Sequence, residues 1–162
     1  MRTILFRAKT DPEAYSYEVD SKWVYGDYSN YSILYPNRPS ILTEQDDYPV
    51  LAETVSQYIG LNDVNGTKIF EGDIVEFEDC GSEGYEYEEG FDYVNRASVA
   101  ISEGRVILDK ILCDNSGVCD DMLYYYDDFI SMLKYCKVIG NIWDNMSLLQ
   151  KDRVSPDNEE DM

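Results

Sequence analysis

Residues 53–75, ETVSQYIGLNDVNGTKIFEGDIV, constrain the fold more than any other part of the chain. Two turn signals and two short apolar runs are compressed into this stretch. Residues 54–61 alternate as a strand would, with Val55, Gln57 and Ile59 on one face. The run is short enough that periodicity alone leaves a helix open. Asp63-Val64-Asn65-Gly66 then reads as a tight turn, because Asn-Gly supplies the positive φ values a hairpin needs. Ile69-Phe70 follows, Glu71-Gly72-Asp73 interrupts, and Ile74-Val75-Glu76-Phe77 resumes. This is the pattern of a compact β meander.

The remaining punctuation extends the same reading. Ile4, Leu5 and Phe6 open an apolar strand that closes at Lys9-Thr10-Asp11-Pro12. A second strand runs from Lys22 to Tyr28, since aromatic and β-branched residues favour strand. Residues 29–49 hold Pro36, Pro39 and Pro49 and predict irregular loop, with a candidate strand over 31–35. Val99-Ala100-Ile101 and Arg105-Val106-Ile107-Leu108 flank Ser102-Glu103-Gly104 as a further hairpin. Asp114-Asn115-Ser116-Gly117 reads as a turn, and residues 123–126 as a short strand. Asp127 is placed to cap a short helix over 128–135, with Phe129, Met132 and Leu133 on one face. Residues 137–143 predict a closing strand, and 146–149 one helical turn. The polar tail 151–162 predicts disorder.

At 162 residues the chain is long enough for one domain with a real core, and 44% hydrophobic residues place it among globular proteins. No apolar run reaches the ~18 residues of a membrane span. The N-terminus lacks the apolar run of a signal peptide, so a cytoplasmic location is expected. The formal net charge of -20, from 33 acids against 13 bases, disfavours ordinary nucleic-acid binding. Two readings of that charge stand: solubility, or mimicry of a phosphate backbone directed at a DNA-binding protein.

Three blocks of sequence carry a family resemblance. The first is Phe6-Arg7-Ala8 followed by Trp23-Val24-Tyr25-Gly26-Asp27. The second is Glu53-Thr54-Val55, Gln57-Tyr58, Gly60-Leu61, Asp63, Asn65-Gly66 and Glu71-Gly72-Asp73-Ile74-Val75. The third is Val138-Ile139-Gly140-Asn141-Ile142, with Asn145 and Leu148-Leu149. In this order they resemble the YopX-like proteins of bacteriophages and prophages. The chain departs from the family pattern at Ser56, where Gly is common, and at Met146-Ser147, where Pro-Glu is common. The resemblance implies a mostly β protein with minor α content: a small SH3-like β-barrel in the C-terminal half, with an N-terminal β-rich lobe. Residues 1–150 would form one domain, with the lobe over about 1–52 and the barrel-like part over about 53–150. Family members look like self-assembling homo-oligomers of the bacterial host's cytoplasm. No catalytic, cofactor-binding or metal-binding residues come with the resemblance. The structural signature it marks is Trp23, Gly26, Gln57, Gly60, Asn65, Gly66, Gly72, Asp73, Gly140 and Asn141.

With no His, the chain lacks the commonest general base. Asp73, at a strand start, is the best candidate carboxylate for a metal-dependent hydrolase. Turn chemistry alone also explains it, as an acceptor for a nearby backbone N–H. Asp63-x-Asn65-Gly66 looks like part of a calcium loop, but placing Gly66 at the glycine position puts Leu61 and Gly72 at ligand positions. The four cysteines, Cys80, Cys113, Cys119 and Cys136, have no C-x-x-C spacing and read as reduced thiols. Residues 71–92 hold ten acids and no Lys or Arg and predict a solvated loop. Tyr124, Tyr125 and Tyr126, with Glu86, Glu88 and Glu89, form the candidate interaction surface, since Tyr is favoured at interfaces. Trp23 and Trp143 read as packing residues.

The expected function is that of a non-enzymatic phage or prophage accessory protein acting through protein–protein contacts and self-association, with no cofactor. The alternative is an acidic inhibitor of a host DNA-binding or defence protein. A carboxylate hydrolase is the third reading. A host protein is a candidate partner; nucleic acid and membrane are not.

Overall fold

The computed structural model describes residues 3–14, 20–30, 36–78, 94–112 and 133–150. Ten strands lie in these segments: β1 Phe6–Lys9, β2 Trp23–Ser29, β3 Ser40–Leu42, β4 Asp47–Pro49, β5 Ser56–Asn62, β6 Lys68–Phe70, β7 Asp73–Glu78, β8 Val94–Ser102, β9 Arg105–Leu112 and β10 Lys137–Asn141. They form two antiparallel sheets, one ordered β4-β3-β2-β1-β5-β6 and the other β10-β7-β8-β9. Among the described residues, helical structure amounts to single 3-10 turns at Pro12–Ala14, Ala52–Thr54 and Met146–Leu149, and a helical residue at Leu133. The protein is therefore mostly β.

The meander read from residues 53–75 is present, with one change at its start. Ala52–Thr54 forms a 3-10 turn, and the strand begins at Ser56. Here the Thr54 hydroxyl donates to the Leu51 carbonyl at 2.7 Å and accepts the Lys9 N–H at 2.9 Å, so the side chain ties the turn to β1. The hairpin expected around Ser102-Glu103-Gly104 is present between β8 and β9, but Ser102 pairs with Arg105, so the loop is the two residues Glu103 and Gly104, with φ of 51° and 76°. Both positive values define the primed turn that suits a twisted hairpin.

The expectation of irregular loop over 29–49 is corrected. Two three-residue strands, β3 and β4, extend the first sheet there. Proline is compatible with this because β4 is the edge strand, where a missing N–H leaves no ladder bond unmade. The Pro49 carbonyl still accepts the Asp11 N–H at 2.9 Å. The candidate elements at 31–35, 114–117 and 123–126 lie outside the described residues, as do the acidic segment beyond 78, the tail 151–162 and most of the helix expected over 128–135.

Two apolar clusters result. Ala8, Val24, Ile41 and Val50 pack with Phe6, Tyr28, Tyr48 and Val55 beneath the first sheet. Ile59, Ile69, Val75, Phe77, Ala97, Val99, Leu108, Leu133 and Cys136 form the larger cluster. Ile59 and Ile69 belong to β5 and β6, whose backbones pair within the first sheet. That hairpin thus hydrogen-bonds with one sheet and buries side chains against the other. The two sheets meet at the β5–β6 hairpin and the short link from Phe70 to Asp73.

Candidate functional site at the sheet junction

The junction is built around Arg7 of β1 and Asp73 of β7. One guanidinium nitrogen lies 2.6 Å from a carboxylate oxygen, and both side chains are almost fully buried, at 8% and 2% exposure. The Arg7 Nε donates to the Ser56 hydroxyl at 3.2 Å, and its Nη2 also reaches the Glu71 carbonyl at 3.5 Å. The guanidinium carbon is 4.6 Å from the Trp23 ring centre and 4.7 Å from that of Phe70, so aromatic rings contribute cation–π contacts. Asp73 uses its other oxygen to accept the Phe70 N–H at 2.8 Å. Burial pushes the Asp73 carboxyl above its ordinary value, against the opposing pull of Arg7 and the Phe70 N–H. The turn role read from sequence is therefore real, but it covers only half of the residue's contacts.

Asp63 makes a second knot. One carboxylate oxygen accepts the N–H groups of Asn65 and Thr67, both at 2.8 Å, and the other accepts the Val138 N–H at 3.0 Å. The Val64 N–H donates to the Cys136 carbonyl at 3.0 Å, so the turn is stitched to β10. Both carboxylate oxygens are engaged by backbone, which gives a structural account of why the calcium-like spacing is present without a calcium pattern. In the turn only Gly66 takes a positive φ, 80°, while Asn65 does not. The Gly66 N–H closes on the Asp63 carbonyl at 3.0 Å. The Asn-Gly pair thus serves as a turn ending in a left-handed glycine rather than as two left-handed residues. Burial pushes the Cys136 thiol up to about 12, with Asp63 adding to the rise. A thiol so placed stays protonated and unreactive. Cys80, Cys113 and Cys119 lie outside the described residues.

Asp144 forms the third knot, closer to the surface. Its carboxylate accepts Lys9 Nζ at 2.6 Å, Trp23 Nε1 at 2.8 Å and Asn141 Nδ2 at 3.2 Å. The Lys9 and Trp23 donors hold its carboxyl down at about 2. The Asn141 side-chain oxygen accepts the N–H groups of Trp143 and Asp144, at 3.0 and 2.9 Å, which shapes the turn that delivers Asp144. Trp23 and Trp143 pack at 5.5 Å between ring centres, joining the sheets as packing residues.

Several of the signature residues, among them Trp23, Asn65, Asp73 and Asn141, take part in these contacts. Gly72, with φ of 83°, leaves its α-carbon open to Trp143, and a Cβ there would lie 2.4 Å from the indole. Gly26 faces the Leu42 carbonyl, and Gly140 faces the Asn145 side chain. Gln57 pairs with Phe6, and its carbonyl accepts the Glu71 N–H at 2.9 Å. Gly60 lies in β5 where its register with β6 shifts. Nothing in the sequence pattern singled out Arg7, Lys9, Ser56 or Asp144 as members of this cluster, although Arg7 stands in the first resemblance block. The candidate interaction residues Tyr124, Tyr125, Tyr126, Glu86, Glu88 and Glu89 lie outside the described residues. Among the described residues, no group of three Cys, Asp or Glu is placed to hold a metal ion. No helix among them is long and apolar enough to cross a membrane.

These features define a mostly β protein whose two antiparallel sheets are fastened across a buried ion pair. The YopX protein family matches residues 6–150, and the chain belongs to that family. A solved structure, protein EF1440 from Enterococcus faecalis, is 17% identical, with 93% of this chain and 100% of that chain covered and a TM-score of 0.43. No curated protein matches the chain.

Proposed function

We propose that this YopX-family protein is a non-enzymatic phage or prophage accessory protein of the bacterial cytoplasm, acting through protein–protein contacts and self-association. The observation that supports this reading is the engagement of the chemically capable groups. Asp63, Asp73 and Asp144 each hold several donors that fasten turns or sheets, and the Arg7 guanidinium is enclosed by partners. A general acid or base needs a free lone pair or proton within reach of substrate, and these carboxylates spend theirs on the fold. In the same reading, the part of the chain from about 53 onward is an SH3-like barrel, completed by the β5–β6 hairpin over the four-stranded sheet.

The net charge of -20 supports a second reading, an acidic inhibitor that occupies a host DNA-binding or defence protein. Light scattering across micromolar concentrations separates the two. Self-association gives a mass above the 18.7 kDa of a single chain. A strictly monomeric mass at every concentration overturns the first reading, and recovery of a DNA-binding protein from host lysate then favours the second.

A further inference from the structure

The longest open edge among the described residues is β9. Among the described residues it ends the second sheet and pairs with β8 alone, whereas β10 at the opposite end is covered by the Asp63 turn. The two-residue loop at Glu103-Gly104 fixes which backbone groups of β9 face outward. Residues flanking such a loop, Ser102 and Arg105, exchange both ladder bonds, and the pattern alternates from there. Arg105 and Ile107 therefore direct N–H and C=O at β8. Val106 and Leu108 direct theirs at the open edge. On the side-chain faces, Arg105, Ile107 and Asp109 are exposed, with Ile107 at 39%, while Leu108 is buried and Val106 packs on the core.

We infer that β9 pairs with β9 of a second copy of this chain, antiparallel, about a two-fold axis through Ile107. This names the surface behind the self-association reading and rests on that reading. In this register Val106 faces Leu108 of the second copy, twice over. These are the residues with outward backbone groups, so the junction forms the alternating bonds of an antiparallel ladder. Arg105 faces Asp109 of the second copy, and Asp109 faces its Arg105, so each copy supplies both halves of the charge pair, as an isologous contact requires. Ile107 meets its own twin at a non-hydrogen-bonded position, where side chains approach most closely. Shifting the centre to Val106 or Leu108 places the charges opposite Ile107 and loses the complementarity. The positive φ of 50° at Lys110 and the register shift beside it mark a bulge that ends the straight edge after Asp109. Charges on an exposed edge commonly prevent such pairing. Here the opposite signs placed symmetrically about an exposed Ile favour it.

The test is charge reversal, read as the dimer dissociation constant by sedimentation at low salt. Arg105→Asp and Asp109→Arg each place like charges opposite one another at two points, and each weakens association by roughly tenfold. The double reversal restores the pairs and returns the constant to near wild type. Net charge alone gives another pattern, because Arg105→Asp would weaken association and Asp109→Arg would strengthen it. Far-UV circular dichroism checks the fold of each variant, and Ile107→Lys carries the same test if a reversal unfolds the chain. Self-association that neither reversal weakens, or that the double reversal fails to restore, overturns the β9 pairing and leaves the broader reading standing. A monomeric wild-type protein overturns both.

Discussion

Asp144 illustrates how much a partly exposed carboxylate can do when its donors come from distant parts of the chain. Lys9 lies in β1, Trp23 in β2 and Asn141 in β10, and all converge on it. Its folded value of about 2 lies below the ordinary 3.8, so the folded state holds this proton less tightly than the unfolded chain. The resulting stabilisation is present above 3.8 and is lost as pH falls through about 2. Asp144→Asn should therefore lower the melting temperature at neutral pH, and the gap from wild type should close as pH is brought down to that range. Thermal melts of the two proteins at a series of pH values read this directly. A gap that stays constant down the series would mean that the carboxylate charge contributes nothing there.

At the level of elements, turn chemistry was the part of the fold most open to reading from sequence. Asn65-Gly66 and Glu103-Gly104 both end strands, yet only the second pair has two left-handed residues. The difference comes from Asp63, whose carboxylate captures the Asn65 and Thr67 N–H groups and holds a wider turn. The short strands β3 and β4 were hidden by prolines, which mark loops in general but are tolerated on an edge. The junction was less legible still. Asp73 could be recognised as a turn acceptor from its neighbours, whereas its ion pair is with a residue 66 positions away, and no local pattern records such a distance. Gly72 joins both kinds of information, since it sits in a turn signal and also lies against Trp143. Gly66→Ala meets nothing within 4 Å and should cost about 1–2 kcal/mol for its positive φ alone. Gly72→Ala pays that cost and must also displace an indole 2.4 Å away, so it should be the more destabilising in urea unfolding. Equal losses would indicate that Trp143 moves aside without penalty.

Across the whole molecule, Trp23, Gly72, Asp73 and Asn141 of the family signature lie where the two sheets are fastened together. The β5–β6 hairpin belongs to one sheet by hydrogen bonding and to the other by packing, and the Arg7–Asp73 pair bolts β1 to β7 beside it. A buried pair of this kind need not exceed apolar packing in stability, but removing one partner strands the other in a dry site. Arg7→Met should cost about 3–5 kcal/mol by leaving Asp73 uncompensated. That loss should shrink at low pH, where the buried carboxyl takes up a proton and the stranded charge disappears. The most direct measurement is a double-mutant cycle of Arg7→Met and Asp73→Asn by equilibrium urea unfolding. If the pair acts as a unit, the double variant loses less than the sum of the single losses, by on the order of 2 kcal/mol. Single losses that simply add would contradict it, because the two residues would then be acting independently instead of as one bolt between the sheets.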